Sequence, residues 1–177
     1  MSTTAAEPSV LERTWAFNPV HSSATFSVKY LVATFSGDFD AVEASLENGK
    51  LSGAVGVKSI RVKDENLAAH LFGPEFFDAD QHPKISFESA DLAIDGDRAE
   101  LEGELTMKGV TKPIHATGTF SGPTEDFMGN TRLGFVLETT VDRTEFGVDW
   151  NADLPRGGKA LGNDVALKVE LEFHEVV

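Results

Sequence analysis

The sequence predicts an antiparallel all-β fold interrupted by one short helical insertion near residues 66–77. Three observations carry that prediction. Apolar and polar residues alternate with a period of two through most of the chain, as on half-buried strands. Turn chemistry separates the alternating runs at short, regular intervals. One stretch, and only one, switches to helical spacing.

Residues 1–12 are mostly small or polar with Pro8 among them, and they read as a flexible tail before a single domain at 13–177. In SSATFSVKY, Ala24, Phe26, Val28 and Tyr30 share one face, with Ser23, Thr25, Ser27 and Lys29 on the other. Weaker runs cover 13–17, 35–46 and 51–62, and Asn48-Gly49 between the last two is a hairpin signal. In ENLAAHLFGPEFFDADQHP, Leu67, His70 and Leu71 recur at helical spacing until Gly73-Pro74 ends the pattern. Phe76 and Phe77 then lie beside Asp78 and Asp80, so this connection is expected to cap the core or to serve as a lid or plug. A run at 84–94 leads through Asp95-Gly96-Asp97 to the cleanest alternation, Ala99, Leu101, Gly103, Leu105 and Met107 against Arg98, Glu100, Glu102, Glu104 and Thr106. Further runs at 112–120 and 132–141 are separated by Ser121-Gly122-Pro123, expected to stop a strand, and by Met128-Gly129-Asn130. The polar, Gly-rich Asp149–Asp164 stretch reads as a surface loop. After it come Val165, Leu167, Val169, Leu171 and Phe173 on one face of the last strand. Each strand thus has one wet face. Barrel and sandwich both satisfy the pattern.

Composition narrows the function. The 177 residues include 29 Asp plus Glu against 15 Lys plus Arg, a formal net charge of −14 with histidine neutral. Such a surface repels phosphate backbones and anionic lipid headgroups, so neither a nucleic-acid partner nor electrostatic membrane docking is expected. No apolar run reaches the roughly 18 residues of a spanning helix, so no integral membrane segment is expected. The N-terminus has neither a cationic start nor an apolar core, so a cytoplasmic location is the expectation. The absence of cysteine removes disulfides, thiol nucleophiles and thiolate metal sites.

Motifs for chemistry are lacking. The histidines at 21, 70, 82, 115 and 174 show no i, i+4 pair and no His-x-His alternation, so no metal site is expected, although His21, His70, His82 and His115 could still converge on folding. There is no Gly-x-Ser-x-Gly elbow and no phosphate-cradling glycine loop, so neither a catalytic residue nor a cofactor is assigned. Thirteen phenylalanines are spread over nearly every expected element. A barrel of about eight strands could fill with these side chains or hold one small ligand.

Several segments together resemble the YceI-like polyisoprenoid-binding family: NPVHSSATFSVKY, HLFGPEFFDADQHPKISFES, GELTMKGVTKPI, TRLGFVLETTVDRTEFGV and GNDVALKVELEF, in the family's order over roughly residues 15–175. The resemblance implies an extended lipocalin-like, eight-stranded antiparallel barrel. It also implies a long hydrophobic channel for an apolar lipid such as a polyisoprenoid, a prenylated quinone or a fatty-acid derivative. It implies no catalytic residues. The family's first strand often has histidine where this chain has Tyr30.

Alternation then nominates channel-wall residues: Phe26, Val28, Tyr30, Ile85 and Phe87 in the first half, and Leu101, Leu105, Leu133, Phe135, Leu137, Leu167 and Val169 in the second. A one-residue slip would exchange the faces, leaving these residues as ordinary core. By resemblance, Arg143 in DRTEFG is the cation for a charged headgroup, with a salt bridge to Asp142 or Glu145 as its structural alternative. A neutral headgroup would use His21, Ser22 or Tyr30. The leading expectation is therefore noncatalytic binding, storage or transport of a long-chain lipid. The alternatives are a metal-assisted or acid–base enzyme built on converging histidines, and a filled barrel that binds a basic partner through its acidic surface. An unpaired strand edge could support a homodimer.

Overall fold

Eleven strands form one curled antiparallel sheet in the computed structural model, which describes residues 10–177. In chain order they are β1 (Trp15–Phe17), β2 (Ser23–Tyr30), β3 (Ala33–Phe39), β4 (Val42–Glu47), β5 (Lys50–Gly56), β6 (Ile60–Arg61), β7 (Lys84–Asp95), β8 (Arg98–Met107), β9 (Val110–Glu125), β10 (Thr131–Asp142) and β11 (Leu161–Glu175). One helix, α1 (Glu65–Phe72), is inserted between β6 and β7. The hydrogen-bonded order is β4-β5-β7-β8-β9-β10-β11-β2-β3-β6, with β1 paired to the end of β11.

The expected eight-stranded barrel is thus an eleven-stranded half-barrel whose edge strands, β4 and β6, do not pair with each other. The physical reason is two corners that alternation cannot register. The run at 35–46 divides at Asp40-Ala41 and the run at 51–62 divides at Val57–Ser59. There Asp40 N donates to Ser59 O at 3.0 Å and Gly56 N to Ala41 O at 3.0 Å, so the backbone changes partners while the apolar pattern continues. A second correction concerns Ser121-Gly122-Pro123. Strand β9 continues through it to Glu125, and a register shift opposite Arg132–Gly134 absorbs the proline, which has no N–H for the ladder. A third concerns Asp149–Asp164, where β11 already begins at Leu161, paired with Tyr30.

Elsewhere the expected punctuation holds. Asn48 (φ 52°) and Gly49 (φ 76°) turn β4 into β5. Asp64 caps α1 by accepting from Asn66 N at 2.9 Å, and Gly73 N closes it on His70 O at 3.1 Å. Most of the expected tail lies outside the described residues. Of its last three, Leu11 is buried among the core and Val10 O accepts from Trp15 Nε1 at 2.9 Å.

The core divides along the strand axis into two clusters. At one end Phe17, Phe120, Phe135 and Phe173 stack edge to face or tilted, with centroids 5.3–6.3 Å apart, among Leu46, Leu51 and Leu133. This end is filled. At the other, Ala24, Phe26, Val28, Leu105, Val141 and Leu161 line the sheet while Leu71, Phe76 and Ala79 descend from the α1 segment.

Candidate functional site

A cavity of about 520 Å³ lies within the second cluster and reaches into the first, where Leu51, Leu101, Ala116, Leu137 and Leu171 also line it. Strands β2, β7, β8, β10 and β11 supply its wall, and α1 with the turns after it supplies its end. Two sequence features keep it open. Small residues, Ala24, Gly53 and Ala116, line it where larger ones would fill it. At Gly103 a Cβ would sit 2.1 Å from Glu88 O and 2.7 Å from Phe87 Cζ, so glycine there lets the Phe87 ring lie flat against β8.

Ten of the expected wall residues line the cavity: Phe26, Val28, Tyr30, Ile85, Phe87, Leu101, Leu105, Leu137, Leu167 and Val169. Leu133 and Phe135 do not. They face inward, as the alternation requires, but at 2% and 1% exposure they are packed in the filled end. Alternation sets the face of a strand residue and says nothing of its height along the barrel axis. The stacked phenylalanines thus close the expected long channel at one end.

The connection expected to cap the core or serve as a lid or plug does reach the cavity, and Trp150, which the sequence did not nominate, joins it. Leu67, His70 and Leu71 of α1, Phe76, Phe77 and Trp150 all line the cavity. His70 stands edge-on to Phe76 (4.8 Å) and to Trp150 (4.9 Å), clasping the helix to the segment before β11. The helical spacing of Leu67 and Leu71, and phenylalanines in an otherwise polar connection, were the available signal. Trp150, flanked by Asp149 and Asn151, gave none.

The cavity's lining is almost wholly apolar, with Arg143 as its cation. The side chain is 4% exposed. Its guanidinium forms neither of the expected salt bridges. Asp142 instead accepts from Thr144 N (2.9 Å) and Thr144 Oγ1 (2.6 Å), which hold its carboxyl below the usual range. Arg143 Nε donates to Gly162 O at 2.8 Å, and Nη1 to Val148 O at 2.7 Å and Trp150 O at 2.9 Å. Nη2 reaches only Leu161 O, at 3.5 Å. Burial lowers the pKa of this guanidinium, which nevertheless stays charged. Arg143 therefore ties the segment carrying Trp150 to the barrel wall and retains donor capacity on Nη2.

His21 and Ser22, expected near a headgroup, lie away from the cavity. His21 Nδ1 is 3.0 Å from Glu172 Oε1, which also accepts from Asn18 Nδ2 and Arg132 Nη1, both at 2.6 Å. Ser22 Oγ donates to Asn18 O and accepts from Glu172 N. Burial raises the Glu172 pKa, but the bonds from His21, Asn18 and Arg132 together bring it below its ordinary value. These residues fasten the segment between β1 and β2 to the outer face of β11. The sequence could not foresee this because β11 is some 150 positions away.

The histidines do not converge. His21 meets Glu172, His70 meets the aromatic clasp, and His115 lies 3.5 Å from Glu102. Among the described residues, no group of three or more His, Asp or Glu could hold a metal ion. Among the described residues no helix is long and apolar enough to cross a membrane.

These features define a class, an all-β half-barrel with an apolar chamber closed at one end by stacked rings. The chain belongs to the YceI-like domain family, which matches residues 15–173. It is 29% identical over 168 residues to UPF0312 protein SA2479 of Staphylococcus aureus strain N315, covering 90% of this chain and 96% of that relative. Among solved structures, BcnA of Burkholderia cenocepacia superposes with a TM-score of 0.75 at 19% identity, over 89% of this chain and 99% of that one. A polyisoprenoid binding domain from Saccharophagus degradans gives 0.74 at 9% identity, over 93% and 100%. At these identities the superpositions establish the shared fold.

Proposed function

We propose that this protein is a noncatalytic binder, store or carrier of a long-chain apolar lipid, held with its chain in the cavity. The observation that carries the reading is the cavity itself. At about 520 Å³ it falls within the roughly 300–1,000 Å³ usual for small-molecule sites, and hydrocarbon walls nearly all of it. Each methylene moved from water into such a wall contributes about 0.8 kcal/mol, so a long chain is retained with few polar contacts. Family membership, and a structural relative described as a polyisoprenoid binding domain, favour an isoprenoid chain or prenylated quinone over other lipids.

Arg143 supplies the polar pole of the cavity. Its Nη2 can donate to a carbonyl, carboxylate or phosphate oxygen at the end of the chain, a bond strengthened by low local dielectric. The cavity disfavours the filled-core alternative. The histidine-based enzyme loses its motivation because those residues are dispersed. The test is native mass spectrometry of the purified protein with organic extraction, followed by titration with a fluorescent polyene. A co-purified lipid and saturable uptake support the reading. A bare chain that takes up no polyene overturns it.

A further inference from the structure

The β2–β3 hairpin ends in a solvent-facing apolar tip. Val32 is 99% exposed, Leu31 48% and Tyr30 43%. Leu31 adopts φ 55°, a conformation in which glycine or asparagine would turn with less strain. A soluble protein gains nothing from two branched aliphatics at such a point, and exposed apolar clusters commonly mark an interaction surface.

The tip is continuous with the cavity. Tyr30 belongs to both, and exposed Asp64 and Asn66 at the start of α1 also line the cavity, placing a rim between the hairpin and the helix. The tip is anchored to the segment before β11, where Leu31 N donates to Ala160 O at 2.8 Å.

Cations without an ionic partner adjoin this rim. Lys29, Lys50, Lys63, Lys112 and Arg156 are the described cations that form no ion pair and no hydrogen bond to a carbonyl. Three of the five adjoin rim or lining segments in the chain. Lys29 precedes Tyr30, Lys63 precedes Asp64, and Arg156 lies in the turn between cavity-lining Trp150 and Ala160. Acids stand there too: Asp64 and Glu65 at the start of α1 are exposed, while Asp153 is paired with Lys159.

We infer that this rim is a docking site for an anionic lipid bilayer, with Leu31 and Val32 entering the interface while Lys29, Lys63 and Arg156 meet headgroups. The inference rests on the lipid-carrier reading and deepens it, since docking here would present the cavity mouth to the membrane. A net charge of −14 repels the remaining surface from the same bilayer. That repulsion fixes the orientation and keeps the contact weak and reversible, as delivery requires. The other exposed apolar tip, Phe127-Met128 between β9 and β10, is a natural control. It lies beyond the filled end, beside Glu125 and Asp126, with no cavity behind it.

The experiment is flotation of the full chain with phosphatidylcholine vesicles, with and without phosphatidylglycerol. Wild type should float with phosphatidylglycerol vesicles and less with neutral ones. Leu31→Asn with Val32→Ser, of which the asparagine suits the backbone angle, should lower binding about tenfold or more. Lys29→Gln with Lys63→Gln and Arg156→Gln should remove the preference for phosphatidylglycerol. Phe127→Ser with Met128→Ser should change nothing. The proposal is overturned if wild type floats with neither vesicle, if the Leu31/Val32 variant binds as wild type does, or if the Phe127/Met128 variant alone loses binding. Polyene uptake from solution, measured in parallel, should be unaltered in the Leu31/Val32 variant. If no protein takes up the polyene while flotation behaves as expected, docking stands and the carrier reading falls.

Discussion

The two ends of the half-barrel are built from the same strands with the same inward-facing rule, yet one is solid and the other hollow. At the filled end the inward positions of β9, β10 and β11 are Phe120, Phe135 and Phe173, and β1 adds Phe17. Rings stack across neighbouring strands and leave no room. At the hollow end Phe26 of β2 leans on Phe35 and Phe39, and the other inward positions of β2 and β11 include Ala24, Val28, Val165, Leu167 and Val169, which are too short to fill the barrel axis. Side-chain volume at a given height, rather than hydrophobicity, separates a core from a binding chamber.

The same truncation at both ends is the sharpest way to break that comparison. Phe135→Ala removes a ring that is 1% exposed and packed on two others, and it should cost about 3–5 kcal/mol in chemical denaturation. Phe35→Ala removes a half-buried ring from the cavity wall, where part of the surface already lacks partners. It should cost about 1–2 kcal/mol in the same assay. Equal losses would mean the hollow end is packed as tightly as the filled one.

Arg143→Met tests how the hollow end is held open. It deprives the Gly162, Val148 and Trp150 carbonyls of their donor and should destabilise by about 2–3 kcal/mol. Arg143→Lys should recover only part of this, because one ammonium cannot span the guanidinium's acceptors. Filling the chamber should act oppositely on stability and function. Ala24→Phe places a ring in the void, so polyene uptake should fall about tenfold, ~1.4 kcal/mol, while the denaturation midpoint hardly moves.

The smallest effect concerns pH at the filled end's outer hairpin. Hydrogen bonds from Arg132 and from Asn130 and Met128 backbone N–H groups hold the Asp126 carboxyl at about 2. A carboxyl depressed on folding contributes stability above its unfolded pKa of about 3.9, and that contribution is lost as pH falls through the folded value. Stability of wild type should therefore decline between about pH 4 and pH 2 slightly more than that of Asp126→Asn, as followed by thermal melts at stepped pH.

Legibility followed the range of the interaction. The all-β class, the helix, its capping ends and the Asn48-Gly49 turn were readable because each depends on neighbours a few positions apart. Inward faces were readable too: Phe26, Leu105 and Leu167 fell where alternation put them. Strand number was not, because the corner at Asp40-Ala41 leaves the apolar pattern intact. The fate of Arg143 was not either, since its acceptors are backbone carbonyls that every residue carries.

The sequence by itself determined an antiparallel sheet with one greasy face and an acidic exterior, because side-chain alternation and net charge are properties of the chain. Only the tertiary structure decided that Leu133 and Phe135 plug one end while Leu137 lines a chamber. It alone brought α1 and Trp150 over that chamber. Height along the barrel axis depends on how each strand is staggered against its neighbour, and stagger exists only once the strands have paired.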